Sequence, residues 1–465
     1  MNPLDELRAL RAGDLPTHGG RTLAYVYDSA VSGLDELAAA AHALASSVNG
    51  LDPTAFPSLL RLENDIVGTA TRLLGGEVGT VTSGGTESCL LAVVAARDAR
   101  PEITRPAMVL PDTAHAAFRK AAHYFGVRAV VVPVDPKTFR ADPDAMAAAI
   151  DDDTVLVVAS APSYAHGVVD PVAEIAAAAA ERGVRCHVDA CIGGWVLPYF
   201  RRLGVDVPPF DFSVPGVTSL SVDLHKYAYC PKGTSLLLHA NADLRRSQYF
   251  ASADWPGYTM LNSTTQSTRS GGPVAAAWAV LRELGDDGYL GLAARTLGAV
   301  RLIREGIEGI DGLRLLGDPD STLLAVAAAT EDFDVFTVAD EMRVRNWYVQ
   351  PQFAYGASPA NLHLTITAAN AGGEQELLTD LRDSVCAARD LGPVPVAQEV
   401  VDLVRALDPN SLTPQEFQGL LAAAGLGGGT VLPERMAPVN ALLAVAAPAL
   451  RERLLVEFLG GLYTP

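Results

Sequence analysis

From residue 107 onward the chain alternates short, nearly unbroken apolar runs with longer segments of helical character. AMVLP (107–111), VRAVVVPV (127–134), TVLVVASA (154–161) and VRCHVDA (184–190) read as strands. Between and after them the pattern predicts helices over Ala114–Phe125, Pro143–Ile150, Pro171–Arg182 and about Gly194–Leu203. Two more strands follow, Thr218–Val222 and Ser235–His239. Strands apolar on both faces and alternating with helices predict an α/β fold with a large, mostly parallel sheet covered on both sides. Ligands of such sheets gather at the carboxyl ends of the strands. The polar residues there are Asp112 and His115, Ser160 and Tyr164–His166, Asp189, and His225–Lys226.

The flanks read differently. The first 50 residues hold a helix Pro3–Arg11, a turn at Gly19–Gly20, the extended YVYDS with Tyr25 and Tyr27 on one face, and a helix Leu34–Ser46. A loop punctuated by Asn49-Gly50 and Pro53 leads to a helix Leu59–Leu74. Beyond the large domain comes a polar loop, Asp254–Pro273, then helices Val274–Leu284 and Tyr289–Ile307. A second block has strand-like LRLLG, LLAVAAA, WYVQP and LHLTIT with helices Val335–Arg343 and Glu374–Arg389, which predicts a smaller α+β domain. After a linker at Gly392–Pro395 the pattern gives helices Glu416–Ala424 and about Ala447–Leu459 around a glycine-rich Gly425–Gly429. The expected organisation is an N-terminal segment (1–50), a large domain (51–294), a small α+β domain (295–390) and a helical extension (391–465).

Composition narrows the function classes. A hydrophobic content of 49% with 19% charged residues belongs to a globular chain with a sizeable core. The net charge of −19 disfavours nucleic acid and anionic membranes as partners, so any anionic ligand must be held by local groups. Cys89, Cys186, Cys191, Cys230 and Cys386 show no paired spacing, which predicts free thiols and no metal site. The opening MNPLDELRALRAGDLP carries acidic residues and no apolar centre, and no apolar run is long enough for a membrane span. The expectation is a cytoplasmic protein.

Four features carry candidate chemistry. Lys226 follows His225 between two strands and is flanked by Tyr227 and Tyr229, a poor place for solvation. Such a lysine serves as a Schiff-base residue for a carbonyl cofactor, or is simply an edge-strand lysine. Ser83-Gly84-Gly85-Thr86 feeds a helical run, which suits either an anion at the helix N-terminus or a plain turn with Thr86 as N-cap. Asp189 closes a strand; it caps the next helix or pairs with a protonated ring nitrogen. His115 is a satisfied interior histidine or a flat group stacked on a ring. In this order the four supply an anion cradle, a ring stacker, a ring-nitrogen partner and an amine. That combination matches pyridoxal 5'-phosphate (PLP).

The motifs TSGGTES (82–88), TAHAAFRKAAHYFG (113–126), HGVVDPVAEIA (166–176), HVDACIGGW (187–195), FDFSVPGVTSLSVDLHKYAYCPKG (210–233), SADWPGYT and STRSGGP (within 252–273) extend the match. Across about residues 20–390 the chain resembles PLP-dependent enzymes of fold type I, the aspartate-aminotransferase fold. Within these it is similar to the group II decarboxylase-like branch, and there to the sphingosine-1-phosphate lyases. The resemblance implies that Lys226 carries the internal aldimine, Asp189 pairs with the pyridine nitrogen and His115 stacks on the ring. It implies that Gly85, Thr86 and His225 hold the phosphate, with Thr268 reaching the neighbouring subunit's site in a homodimer. It places Tyr27 in the active site and gives Asn49 and Lys232 to the polar head of a small-molecule amine substrate.

Two positions depart from the lyases, Asp52 where they carry histidine and Met260 where they carry tyrosine. The acid would repel a substrate phosphate at short range, and the thioether can neither transfer a proton nor donate a hydrogen bond. The function expected is retro-aldol cleavage of a β-hydroxy amine to an aldehyde and an amine, with Tyr27 or His115 handling the hydroxyl proton. The alternatives are amino-acid α-decarboxylation and a non-catalytic scaffold.

Overall fold

The apolar runs pair into one seven-stranded sheet in the order β1-β7-β6-β5-β4-β2-β3 in this computed structural model, which describes residues 2–423 and 433–463. The glycine-rich stretch 425–429 lies outside the described residues. The strands are β1 (Val78–Thr82), β2 (Ala107–Pro111), β3 (Arg128–Val132), β4 (Thr154–Ser160), β5 (Arg185–Asp189), β6 (Val217–Val222) and β7 (Ser235–His239). From β3 across to β6 the pairings are parallel, while β7 runs antiparallel to both β6 and β1. The register sets Ser160 beside Asp189 and Asp189 beside Ser221, a polar row at the carboxyl edge of an otherwise apolar sheet.

Helices cover both faces of the sheet, whose strands other than the edge strand β3 are buried almost throughout. The helix Gly85–Asp98 is buried along almost its whole length. On the other face Trp195, Phe200 and Phe210 are each at most 1% exposed. Burying a side chain of this size contributes about 1.5–3 kcal/mol.

The two helices expected after the polar loop are present, meeting at a kink at Gly285 (φ 58°, ψ −174°) within the run Gly271–Glu308. Glycine alone tolerates that positive-φ, extended backbone, so the first helix stops at Gly285 and the second sets off in a new direction. The run's early residues Val274, Ala277 and Leu281 pack in the large core, and Ala299, Ile303 and Ile307 pack in a second one. That second core lies under the antiparallel sheet β10-β11-β13-β12: β10 (Leu313–Leu315), β11 (Leu323–Ala328), β12 (Gln350–Gln352) and β13 (Asn361–Thr365).

Three local expectations need correction. Tyr25 adopts φ 65°, so YVYDS is not a regular extended segment and its tyrosines part company. Tyr25 lies beside Tyr348, while Tyr27 packs edge-on against Tyr227 at 5.2 Å. In WYVQP only Gln350 and Pro351 join a strand. Asn346 turns left-handed just before it, and Trp347 is drawn into the second core with its Nε1 donating to Asp380. The polar loop 254–273 contributes a strand to a two-stranded ribbon, β8 (Phe250–Ser252) with β9 (Met260–Asn262).

The C-terminal extension holds four described helices, Gln398–Ala406, Pro414–Ala423, Ala437–Val445 and Pro448–Leu462, where the pattern showed two. They share a small core of Val404, Phe417, Ala446 and Leu450. Asp340 of the small domain accepts from the N–H groups of Met436 and Ala437, and Arg435 pairs with Glu341 at 2.7 Å. Among the described residues no helix is long and apolar enough to cross a membrane.

Candidate active site

The carboxyl edge of the sheet opens into a cavity of about 430 Å³, lined by residues from five segments of the chain. Ser83–Glu87 come from the turn after β1, His115 from the loop after β2, Ser160, Pro162 and Tyr164 from beyond β4, Asp189 and Cys191 from beyond β5, and Asp223, His225 and Lys226 from beyond β6. Parallel strands deliver these residues to one place because all of their carboxyl ends lie on the same side.

Lys226 sits in the turn between β6 and β7, with its Nζ 2.7 Å from Asp223 Oδ2. Asp223 is 3% exposed. Burial pulls the Lys226 ammonium down, but the Asp223 charge outweighs it and holds its pKa well above the ordinary lysine value. Burial likewise raises Asp223, and the charges of Lys226 and His225 reverse this and leave its carboxyl below its usual range. Lys226 is therefore held as an ammonium paired with the Asp223 carboxylate. Asp223 Oδ1 has no hydrogen-bond partner, so the carboxylate keeps an acceptor free.

The Gly84-Gly85 turn brings backbone close to this pair. A Cβ on Gly85 would lie 2.7 Å from both Asp223 oxygens and from Cys191 Sγ, so only glycine fits. The helix beginning at Gly85 has Gly84 as its N-cap and no side-chain cap, not the Thr86 cap that the turn reading offered. Its first-turn N–H groups are thus available to an anion at the cavity wall. Glu87 braces the turn by accepting from Ser83 N and Oγ, and it reaches across to Thr265 N at 2.9 Å. His225 Nδ1 contacts the Thr234 carbonyl at 2.9 Å, and its pKa is lowered, first by burial.

Asp189 does not cap the following helix, whose N-cap is Ile192. Its Oδ1 accepts from Cys191 N at 3.1 Å and from Ser221 Oγ at 3.2 Å. His115 is itself the N-cap of the next helix: its Nδ1 accepts from Ala117 N at 3.2 Å. This leaves Nε2 to carry the proton of a neutral ring. Ser160 Oγ is buried without a partner on the same wall.

Tyr27 stands near the lysine, its hydroxyl pushed up to about 12 by burial, with Lys226 opposing and Asp223 adding to the shift. Lys232 lies with its Nζ 5.2 Å from the Tyr27 ring centre and donates to the Tyr25 carbonyl at 3.0 Å. Asn49 and Thr268 do not line the cavity; Asn49 pairs with Ser270 in a bridge, and Thr268 is exposed. The structure thus brings Lys226, Asp189, His115, Gly85, Thr86 and His225 into one cavity with Tyr27 close by. Asn49, Lys232 and Thr268 stand outside it within a single chain.

Sequence reading missed Asp223, although the run Asp223-Leu224-His225-Lys226 places the carboxylate three residues before the amine. It also missed Glu87 as a brace, because its Thr265 partner is remote in sequence. A second cavity of about 510 Å³ adjoins the first, with His115 and Tyr164 in both walls, and Val134, Phe139, Phe353 and Ala357 line its apolar part.

Comparison with known proteins follows the same outline. Residues 24–325 match the pyridoxal-dependent decarboxylase conserved domain, and 398–461 match the C-terminal putative HTH domain of pyridoxal-dependent enzymes. The sphingosine-1-phosphate lyase of Dictyostelium discoideum is 40% identical over 354 residues. That match takes in 75% of this chain and 66% of the relative, so the chain spans just under two thirds of its length. A solved sphingosine-1-phosphate lyase from Burkholderia pseudomallei superposes with a TM-score of 0.79 at 37% identity, covering 84% of this chain and 91% of that one. Lactobacillus brevis glutamate decarboxylase shares the fold at 19% identity and a TM-score of 0.74, over 85% and 94% of the two chains. The cavity fits pyridoxal phosphate on its own terms, with two unpartnered buried acceptors, an uncapped helix start behind glycines, a buried carboxylate and a lysine.

Proposed function

This chain belongs to the pyridoxal-dependent decarboxylase family, and from that premise we propose that it is a carbon–carbon lyase acting on a β-hydroxy amine. Retro-aldol cleavage between the carbons bearing the amine and the hydroxyl gives an aldehyde and an amine. The observation that carries the reading is the Lys226–Asp223 pair at 2.7 Å inside the cavity that also holds Asp189 and His115. The 37–40% identity to sphingosine-1-phosphate lyases supports the choice of reaction.

Gly85, Thr86 and His225 would hold the cofactor's phosphate, Asp189 would pair with its ring nitrogen, His115 would lie against its ring, and Lys226 would supply the amine for its aldehyde. Bound there, PLP supplies an electron sink for a bond broken at the carbon that bears the amine. The chain's own groups do the rest. Asp223 pairs with and orients the Lys226 ammonium, which must lose a proton before the amine acts as a nucleophile. Tyr27, kept protonated by burial, would act as a relay, its oxygen accepting the substrate O–H while its own O–H passes a proton on; His115, whose Nδ1 is taken by Ala117 N, offers a hydrogen-bond donor at Nε2 and no acceptor. Carbon–oxygen double-bond formation in the aldehyde requires the substrate hydroxyl proton to leave, and Tyr27 would pass it toward the Lys226 amine, which is a base whenever it is not protonated or bonded to the cofactor.

Among the described residues lining the cavity there is no arginine, the usual bidentate partner of a carboxylate. This favours a substrate without an α-carboxylate and sets the lyase reading ahead of α-decarboxylation. The adjoining apolar cavity offers room for the remainder of the substrate. Thr268, exposed and outside its own chain's cavity, fits a homodimer in which it completes the partner's phosphate site.

Incubation of the purified protein and PLP with β-hydroxy amines, with and without phosphate, tests this by aldehyde release. Carbon dioxide from amino acids with no aldehyde from any β-hydroxy amine would overturn it in favour of decarboxylation. Visible absorbance of bound cofactor, lost in Lys226→Ala, separates enzyme from scaffold.

A further inference from the structure

Beneath the cofactor cavity lies a donor set that the proposed reaction leaves unused. Cys89, from the helix Gly85–Asp98, comes up beside Asp189 and Cys191 at the end of β5, although the two cysteines are about a hundred residues apart in sequence. The two thiol sulfurs and a carboxylate oxygen all lie within 4.8 Å of one another, and all three residues are buried. Ser221 adds a hydroxyl, 3.3 Å from Cys191 Sγ and 3.2 Å from Asp189 Oδ1. In a tetrahedral zinc site two thiolate sulfurs stand about 3.8 Å apart, given Zn–S bonds of about 2.3 Å. The observed spacing reaches that geometry with side-chain adjustments of an ångström or less. Cys89, Asp189 and Cys191 line the cavity, so an ion has a route in and a fourth position open to water or to Ser221.

We propose that Cys89, Asp189 and Cys191 form a site for one thiophilic divalent cation, of the zinc kind, filled in the cofactor-free protein and exclusive with the cofactor. Two sulfurs and one carboxylate select zinc or cadmium over magnesium or calcium. Binding is balanced by release of the two thiol protons to solvent, each sulfur exchanging S–H for S–metal with no redox change. Electrostatics explains why the empty cavity would take a cation. Asp189 is buried with donors only from Cys191 N and Ser221, and the nearby Lys226 is already engaged by Asp223. Exclusivity rests on the reading above that Asp189 serves the cofactor's ring nitrogen, since the same carboxylate cannot serve both. Metal would then regulate loading of the enzyme with PLP.

The test is titration of full-length protein with CdCl2, before and after the cofactor is dialysed out, with Cys386→Ser as the parent to remove the exposed thiol. The readout is the ultraviolet thiolate-to-cadmium charge-transfer band. One equivalent per chain should saturate the band in the cofactor-free protein, MgCl2 should give none, and added PLP should suppress it. Cys89→Ser should weaken binding by more than about tenfold. X-ray absorption on the zinc-loaded protein should count two sulfurs, which guards against misreading a variant that folds poorly. A missing band, one unchanged in Cys89→Ser, or one indifferent to PLP that demonstrably binds would overturn the proposal. If PLP produces no visible absorbance at all, the cofactor reading fails separately, and the band still decides the metal site.

Discussion

Replacing Asp223 by asparagine keeps the shape of the side chain and removes the charge that holds Lys226 as an ammonium. Asp223 is 3% exposed and its oxygen is 2.7 Å from Nζ, so solvent screens the pair little. An opposite charge at this range moves a pKa by about 1–3 units. Burial, which lowers the lysine value, stays in place after the change. The Lys226 titration should therefore fall by about 1–3 units in Asp223→Asn, and each unit multiplies the neutral-amine fraction at a given pH about tenfold. The assay is the rate at which visible absorbance develops when PLP is added to cofactor-free protein, measured across neutral and alkaline pH. Wild type should keep accelerating into the alkaline range, whereas Asp223→Asn should level off lower. The midpoint carries the test, because a misplaced lysine changes the amplitude but not the pH at which it titrates. Stability gives a second reading. Leaving Lys226 charged and unpaired costs about 3–5 kcal/mol, and the alternative, deprotonating it at pH 7 from about 10.4, costs about 4–5 kcal/mol. The raised lysine value stabilises the fold below its unfolded pKa and is lost as pH rises through the folded one. The depressed aspartate value stabilises above its unfolded pKa and is lost as pH falls through the folded one. The gap between wild type and variant should thus be flat from about pH 5 to 9. Coincident midpoints for the two proteins would refute the claim that Asp223 governs the lysine.

Three further outcomes follow from the supports around the cavity. Arg269 pairs with Glu63, donates to the Val81 carbonyl and is only 12% exposed, so Arg269→Ala should destabilise by about 3–5 kcal/mol in urea unfolding and loosen the segment carrying Thr268. Gly167 has φ 71°, and a Cβ there would sit 2.2 Å from the Leu323 carbonyl oxygen, between the large and small domains. Gly167→Ala should cost more than about 2 kcal/mol, whereas Gly183→Ala, left-handed but with open space, should cost about 1 kcal/mol; calorimetric melting separates them. Glu87 is raised by burial, but hydrogen bonds from Ser83 and Thr265 outweigh this and leave it depressed. Its contribution is present above the unfolded glutamate pKa and lost as pH falls through the folded one. Glu87→Gln should therefore narrow the acid-side loss of stability and of PLP affinity, read by melting temperature and absorbance.

The large sheet was legible because strands such as β2 and β4 are apolar on both faces and alternate with helices, a pattern that few other arrangements satisfy. The cavity was legible in part for the same reason: Asp189 and the His225–Lys226 pair stand where apolar runs stop. What escaped were pairings across sequence distance. Nothing near Glu87 announces Thr265, and nothing near Cys89 announces Cys191. Asp223 was hidden differently, since an acid three residues before a lysine is unremarkable until both are buried. Tyr25 misled because alternation predicts a strand, while its φ of 65° is imposed by tertiary contacts that alternation does not encode.

The two departures from the lyase pattern gain meaning from where they fall. Asp52 is exposed, and its Oδ1 accepts from Thr54 N at 2.8 Å and from Thr54 Oγ1 at 2.6 Å, so it closes its own turn. Met260 lies in the β8–β9 ribbon, opposite Ser252. Neither lines the lysine cavity of its own chain. Within one chain, the cavity that holds Lys226, Asp223 and Asp189 is thus lined without either of them. The same reasoning applies to the C-terminal unit. Across 398–461 four basic residues stand against seven acidic ones, so its match to a putative HTH domain comes without the positive surface that nucleic acid requires. Its attachments run inward, through Asp340 and Glu341 to the small domain, and Phe353 of that domain walls both the apolar cavity beside His115 and a pocket among these helices. The extension is thus packed onto the small domain, across Phe353 from the apolar cavity beside His115.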